Sequence, residues 1–234
     1  MLELHEVETG YGTGQVLFGV SLTVPPGACV SLMGRNGMGK TTTVRAIMGQ
    51  LPLSAGRISR FGDNHGQRPS FEIARAGVGL VPEGRQIFSN LTVRENLKTF
   101  YRVPAGQTGD VWDLDRVLAL FPRLAERLEH AGSHLSGGEQ QMLAIGRALM
   151  TNPKLLILDE ATEGLAPIIR HQIWECLNLL KQDGQSILII DKNVDAIAKL
   201  ANYHYILDKG KVVWQGDSIS LMGTPDLKSR YLGV

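Results

Sequence analysis

Residues 34–41 read GRNGMGKT and combine the side chains and the backbone freedom that phosphate binding requires. Glycines allow backbone N–H groups to converge on an anion, while Lys40 reaches β- and γ-phosphates and the Thr41 hydroxyl can ligate Mg²⁺. An apolar run precedes the segment and a helical pattern follows it, so a helix N-terminus points at the same phosphates. The segment predicts a nucleotide site. Its predicted contacts are Gly34, Arg35, Asn36, Gly37, Met38, Gly39, Lys40, Thr41 and Thr42.

Two carboxylates follow another apolar run, residues 155–158, which predicts a buried strand. Asp159 and Glu160 come at its C-terminal end, where α/β proteins place ligand chemistry. Asp159 is suited to hold Mg²⁺, directly or through water. Glu160 can polarise a water for in-line attack on a γ-phosphate. In isolation two acids often simply end a strand, but after a phosphate loop the hydrolytic interpretation is favoured.

Residues 135–141 read LSGGEQQ and predict a second anion site. Ser136 and Glu139 have the spacing of a capping box that opens a helix. The first turn of that helix contains Gly137 and Gly138, whose N–H groups lack intrahelical partners. One bound nucleotide does not need two separate helix N-termini from the same subunit. Two subunits arranged head to tail would let each lend this element to the nucleotide of the other.

Apolar segments of strand length alternate with amphipathic segments of helix length, which is typical of a mainly parallel α/β sheet. From 91 to 150 the pattern is helical, so we expect an α/β core with a helical insertion, in which Thr92 with Glu95 forms a further capping box. Strands are predicted at 2–7, 16–24, 28–33, 57–61, 78–81, 155–158 and 186–190, with a closing hairpin of 205–207 and 211–214. Helices are predicted at about 41–48, 137–150, 168–182 and 194–201, and a polar loop at 104–110.

Composition excludes several classes of protein. The 234 residues carry a formal net charge of +1, so there is no basic excess of the kind that nucleic-acid binding requires. We expect no signal peptide, and no apolar run approaches the ~18 residues of a membrane span. Cys29 and Cys176 are too few for a disulfide framework and are expected to be core thiols. His130 and His134 bracket a Gly-Ser pair and are not expected to bind metal.

The LSGGEQ segment, the phosphate loop and the apolar-Asp-Glu strand together resemble the ATPases of ABC transporters, over essentially the whole chain. The resemblance implies a P-loop NTPase (RecA-like) core with an N-terminal antiparallel β subdomain and a helical insertion. Residues 1–234 would form one ATP-binding domain, with 1–90 and 151–234 as core and β subdomain and 91–150 as a helical subdomain carrying the signature.

The resemblance also implies partners and location. Two subunits would form a head-to-tail dimer that sandwiches two ATP molecules with Mg²⁺, either with itself or with a paralogous subunit. The dimer would dock on transmembrane permease subunits at the cytoplasmic face of the inner (plasma) membrane, as a peripheral protein with no nucleic-acid partner. DNA-repair and translation ATPases of this type are disfavoured, because the chain has neither a long coiled coil nor two cassettes.

Further site residues follow from the resemblance. Tyr11 matches the aromatic that stacks on adenine, although by itself it reads as a solvent-edge turn residue. Glu83 occupies the coupling-loop position, with expected contacts to nucleotide and Mg²⁺, and its neighbours would receive the permease. The signature residues expected to contact the ATP of the opposing subunit are Ser136, Gly137, Gly138 and Glu139.

Residues 81–85, 91–97, 164–169 and 231–233 are similar to the shorter ATPase subunit of branched-chain amino-acid importers, and urea importer subunits are also similar. This implies ATP-driven import of branched-chain or other hydrophobic amino acids, with a solute-binding protein as an indirect partner.

Two departures concern hydrolysis. Lys192 stands where the family commonly has a histidine that contacts the γ-phosphate, and Ala166 stands where it has an aspartate. Lys192 is expected either to donate to the γ-phosphate as a catalytic point charge or to be a solvated residue before a helix. The alternative function is an ATP-binding switch with weak hydrolysis, in a urea or other amide importer, whose paralogous subunit supplies turnover.

Overall fold

A computed structural model describes residues 1–63, 68–104 and 110–232 of the chain. The strands are β1 Leu2–Tyr11, β2 Gly14–Val24, β3 Cys29–Met33, β4 Ala55–Arg60, β5 Val78–Val81, β6 Leu155–Asp159, β7 Ser186–Ile190, β8 Tyr203–Asp208 and β9 Lys211–Asp217. The helices are α1 Lys40–Ile47, α2 Ser70–Ala76, α3 Val93–Phe100, α4 Leu114–Leu120, α5 Pro122–Glu126, α6 Gly137–Met150, α7 Pro167–Gln182, α8 Val194–Leu200, α9 Ser218–Met222 and α10 Pro225–Leu227. A 3₁₀ turn covers Gly132–His134 and a π-helical turn Lys228–Leu232.

The strands form two sheets. The smaller is antiparallel with the order β2-β1-β4, and the larger has the order β5-β6-β7-β3-β8-β9. All neighbours in the larger sheet are parallel except β8 and β9. Residues of β3, β6 and β7 are buried throughout, as expected for parallel strands covered on both faces. The carboxyl ends of β3, β6 and β7 therefore meet at one edge.

These sheets confirm the predicted α/β fold class. The predicted strands 78–81 and 186–190 are found with those bounds, while the others shift or lengthen at their ends. The first two strands extend to Tyr11 and from Gly14, so the turn between them is tighter than predicted. Helices α2, α9 and α10 were not predicted. Positions 105–109 of the predicted polar loop lie outside the described residues.

Helices α3 to α6 occupy the middle of the chain, where the sequence predicted helix. Both predicted capping boxes are present: Thr92 and Ser136 each accept from the N–H of the glutamate three residues on, and that glutamate accepts in return. The apolar face of α6 is buried in the same core as Leu97 of α3 and Val117 of α4. This packing fixes where the N-terminus of α6 is presented.

Both cysteines lie in the core, as expected. Burial raises the pKa of the Cys29 thiol and of the Cys176 thiol to about 12. Across the described parts of the chain, every helix is too short or too polar to cross a bilayer.

Candidate functional site

The predicted phosphate loop connects β3 to α1, as its sequence context required. Gly34 and Gly39 adopt positive φ angles of 146° and 104°. A Cβ at Gly34 would lie 2.3 Å from the Leu207 carbonyl oxygen, and one at Gly39 would lie 2.8 Å from Leu17 Cδ2. Conformation and space both demand glycine at position 34, where the clash is with backbone. At position 39 the positive φ angle is the main requirement, because the nearest atom is the end of a leucine side chain. Gly39, which precedes α1, has no side chain that could cap the helix, so the first N–H groups of α1 remain available at the loop.

Lys40 connects the loop to the acidic pair. Its side chain is only 5% exposed, and its Nζ lies 3.4 Å from Glu160 Oε1. The same ammonium donates to the Arg35 carbonyl oxygen at 3.2 Å. Two segments that are distant in sequence thus place a cation and a carboxylate in direct contact.

Asp159 is the most strongly desolvated acid of the site. It is 2% exposed, and its Oδ1 is buried with no hydrogen-bond partner among the described residues. Burial raises its pKa and the Glu83 carboxylate acts in the same direction, whereas a hydrogen bond with Thr41 and the charge of Lys40 oppose the rise. An orphaned carboxylate oxygen beside a threonine hydroxyl fits a hard cation such as Mg²⁺.

Glu160 follows in a left-handed conformation, with φ 52°. Its backbone N–H donates to the Ile190 carbonyl oxygen at 2.8 Å, which ties it to the end of β7. Burial is the largest cause that raises its pKa, and a hydrogen bond with Glu163 adds to it, while the charges of Lys40 and Lys192 oppose it. A carboxyl group with a raised pKa is suited to accept a proton.

Lys192 lies at the same edge but does not point freely into the site. Its Nζ lies 2.5 Å from Glu163 Oε1 and 3.6 Å from Glu160 Oε2. The hydrogen bond with Glu163 is the main cause that raises the lysine pKa. The glutamate pKa is lowered, first by its hydrogen bond with Glu160 and then by Lys192. The lysine ammonium is therefore paired with two carboxylates at the edge of the site. Its contact with the γ-phosphate stays a prediction.

A cavity of about 360 Å³ unites most of the predicted nucleotide contacts. Its walls are Val16, Asn36, Gly37, Gly39, Lys40, Thr41, Thr42, Glu83, Glu160 and Glu163. A neighbouring cavity of about 280 Å³ is lined by Met33, Gly34, Arg35, Asn36, Asp191, Lys192, Val194 and Leu232. Met38 lies on the far side of the loop, where its sulfur accepts from the N–H of Lys209.

Tyr11 and the signature residues lie outside these cavities. Tyr11 is 44% exposed at the end of β1, and its hydroxyl accepts a hydrogen bond from Arg45 Nη1 at 3.0 Å. Ser136 and Glu139 satisfy each other in the capping box, with Ser136 N–H donating to Glu139 Oε2 at 2.7 Å. Within this chain the N-terminus of α6 is therefore separate from the phosphate loop.

Two residues with contacts at these elements were not predicted from the sequence, Glu163 and Arg85. Glu163 contacts both Lys192 and Glu160, and its only signal was a third acid close behind the acidic pair. Arg85 packs its guanidinium over Gly137, where a Cβ would meet both Nη atoms at 2.9 Å, and donates to Gln140 Oε1 at 3.1 Å. No local pattern announces this second contact, because Arg85 has a left-handed backbone and its partners belong to a distant helix.

Comparison with known proteins agrees with this geometry. The family model described as ABC transporter matches residues 17–163. The chain is 42% identical to the high-affinity branched-chain amino acid transport ATP-binding protein BraG of Pseudomonas aeruginosa, with 100% of both chains covered. A solved ATP-binding subunit of an ABC transporter superposes with a TM-score of 0.83 at 28% identity, covering 100% of this chain and 96% of that one. A dimeric post-hydrolysis ATP-binding cassette bound to ADP and Pi has the same fold, with a TM-score of 0.80 at 24% identity and coverage of 93% and 99%.

Proposed function

The chain belongs to the ABC transporter family, and on this premise we propose that it hydrolyses ATP to drive import of branched-chain or other hydrophobic amino acids. The observation that carries hydrolysis is the contact between Lys40 and Glu160 at the wall of the phosphate-loop cavity. Full-length similarity to the Pseudomonas protein supports the choice of solute.

In the proposed reaction the loop holds the phosphates of ATP. Glycine N–H groups, the N-terminus of α1 and the Lys40 ammonium bind the β- and γ-phosphates. Thr41, Asp159 and Glu83 would hold Mg²⁺, which neutralises charge on the phosphates. The buried, unpartnered Asp159 Oδ1 supports this assignment.

Glu160 is the proposed general base. It orients a water for in-line attack on the γ-phosphorus and accepts the proton of that water as the bond to the β-phosphate oxygen breaks. Its desolvated position beside two lysines supports this role, because the cations hold the carboxylate in place. We also propose that Tyr11 contacts the adenine of ATP, because its ring is exposed at the end of β1 and lies next to Arg45.

We propose that two subunits complete each site. Ser136, Gly137, Gly138 and Glu139 lie at the N-terminus of a long helix, outside the cavity of their own chain. That separation, and the dimeric cassette with the same fold, support a head-to-tail dimer in which they contact the opposing ATP. Residues 91–150 would form the helical subdomain that carries the signature within the single domain. The dimer would dock peripherally on permease subunits at the cytoplasmic face of the inner membrane and serve a solute-binding protein indirectly.

The test is hydrolysis by the complex of this chain with its permease in lipid vesicles. We expect Glu160→Gln to retain ATP binding and to abolish phosphate release. Glu129→Gln removes a carboxylate from an exposed ion pair and should leave turnover unchanged. Intact protein that releases no phosphate, with permease and Glu160 present, would refute the proposal. Uptake of labelled leucine and of labelled urea by a deletion strain distinguishes the solute classes.

A second candidate is a switch subunit that binds ATP and hydrolyses it weakly, in a urea or other amide importer. The observation in its favour is the ion pair of Lys192 with Glu163, which would keep the ammonium from taking the role of the usual histidine. If a paralogous subunit supplies turnover, Glu160→Gln should spare transport here while the equivalent change in the paralog stops it. Loss of uptake from the change in this chain alone would exclude the switch.

A further inference from the structure

Two loops at the site edge are fastened to each other behind the acidic pair. Thr162, in the loop after β6, donates its hydroxyl proton to Asp191 Oδ2 at 2.5 Å, and both side chains are buried. Asp191 Oδ1 accepts from the backbone N–H of Asn193 at 2.9 Å. This bond fixes the backbone on either side of Lys192, so its side chain starts from a defined point. Where its ammonium goes then depends on side-chain contacts alone.

Two ammonium groups share the Glu160 carboxylate. Lys40 contacts Oε1 at 3.4 Å, and Lys192 contacts Oε2 at 3.6 Å. Phosphates bound in the loop would compete with Glu160 for Lys40, because together they carry more negative charge than one carboxylate. Lys192 would then be the cation that still contacts Glu160, as long as its ammonium is not also drawn into contact with the phosphates.

Glu163 makes the closer of the two carboxylate contacts that oppose that movement, and Glu160 itself makes the other. Lys192 is 43% exposed and carries a flexible four-carbon stem, and its shortest contact is with Glu163 Oε1 at 2.5 Å. Glu163 is 51% exposed and lines the phosphate-loop cavity. An ion pair this exposed adds little to the stability of the fold, since solvent screens it. Because the Thr162–Asp191 bond already holds the backbone, the pair needs only to select the direction of one side chain.

We propose that Glu163 is a positioning residue that holds Lys192 beside Glu160 and away from bound ATP. Lys192 then orients the carboxylate of Glu160 and does not bind the γ-phosphate. This inference rests on the proposed function, hydrolysis of ATP through Glu160. It assigns a role to Glu163, and for Lys192 it is an alternative to donation to the γ-phosphate.

The test measures ATP affinity and kcat for Glu163→Gln, Lys192→Gln and the double variant. Affinity is read with a fluorescent ATP analogue, and kcat from phosphate release by the complex with permease. Glu163→Gln releases Lys192 toward the phosphates, so ATP should bind about fivefold more tightly while kcat falls, as expected for one freed surface charge. Lys192→Gln should lower kcat by about as much as Glu163→Gln does and leave the affinity for ATP unchanged. The double variant should lose the tightening and match Lys192→Gln in both quantities.

The control is Glu129→Gln, which breaks another exposed ion pair, with Arg94, and should change neither quantity. Tighter binding that persists in the double variant, or affinity that falls or stays constant in Glu163→Gln, would overturn the inference. Lower melting temperatures with unchanged affinity ratios would likewise reduce Glu163 to a structural role. If the intact complex hydrolyses no ATP, the proposed function fails, whereas the affinity measurements still decide whether Glu163 restrains Lys192.

Discussion

Asp159→Asn is expected to make the protein more stable without nucleotide and less stable with it. Asp159 is the buried last residue of β6, and its Oδ1 has no hydrogen-bond partner among the described residues. Asparagine preserves shape and removes the buried charge. A stability gain from a change at a functional residue would show that the fold tolerates this carboxylate for the sake of its ligand.

The magnitude follows from the contacts. An unsatisfied buried polar group costs about 1–3 kcal/mol, and more when charged. Asparagine leaves the same position without a partner, so only the additional cost of the charge is relieved. The attraction of Lys40 and the hydrogen bond with Thr41 reduce that relief further, so we expect a net gain of about 1 kcal/mol, at most about 2 kcal/mol. For a domain of this size that corresponds to a rise in Tm of about 2–8 °C.

Mg²⁺ and ATP should reverse the order. At a ligand concentration a thousand times Kd, the unmodified protein gains about 4.1 kcal/mol from binding. The variant lacks one anionic ligand of the ion and gains much less from binding. With Mg²⁺ and ATP the unmodified protein should therefore be the more stable of the two.

The assay is thermal unfolding with and without Mg²⁺ and ATP, beside Asp183→Asn as a control. Asp183 forms an exposed pair with Arg116, and its replacement should change stability by less than about 0.5 kcal/mol in both conditions. The reasoning is refuted if Asp159→Asn lowers Tm in the absence of nucleotide, or if both proteins gain equally from Mg²⁺ and ATP.

Three further predictions follow from the caps, the buried histidine and the thiols. Ser136→Ala and Thr92→Ala each remove a capping box and should each lower the free energy of unfolding by about 1 kcal/mol, but only Ser136→Ala should reduce ATP hydrolysis; equal activity of the two would count against the signature assignment. Burial lowers the pKa of His204 to about 4, below its unfolded value near 6.5, so stability should be lost as pH falls through that window in chemical denaturation; a His204→Asn variant with an undiminished slope would contradict this. Cys29 and Cys176 should resist a thiol reagent in the native protein and react after unfolding, so rapid native labelling would exclude their burial.

Much of the site was predictable because its determinants are local. The phosphate loop declares itself by glycine spacing and its flanking elements, and the two capping boxes by side chains three residues apart. The meeting of Lys40 with Glu160 followed from one further rule, that the carboxyl ends of parallel strands share an edge.

The rest depends on spatial order that the sequence does not display. The contact of Lys192 with Glu163 requires β7 to lie beside β6, and strand order is set by packing of the whole sheet. Helix α2 escaped prediction because only Ile73 of its residues is buried, which leaves no periodic apolar pattern. The extension of β1 to Tyr11 depends on pairing with β2, so the glycine-rich turn was expected to be longer.

The order of the larger sheet also bears on how the protein is made. Strand β3, which leads into the phosphate loop, pairs with β7 through Cys29 and Ile187 and with β8 through Val30 and Tyr203. During synthesis β3 therefore remains unpaired until β7 and β8, which are made near the end of translation, have left the ribosome. Such long-range parallel pairing is slow to form, and the unpaired edges of β3 are open to aggregation meanwhile. ATP cannot assist folding until the last strands arrive, so chains that stop before β8 are expected to be degraded and not to be rescued by nucleotide.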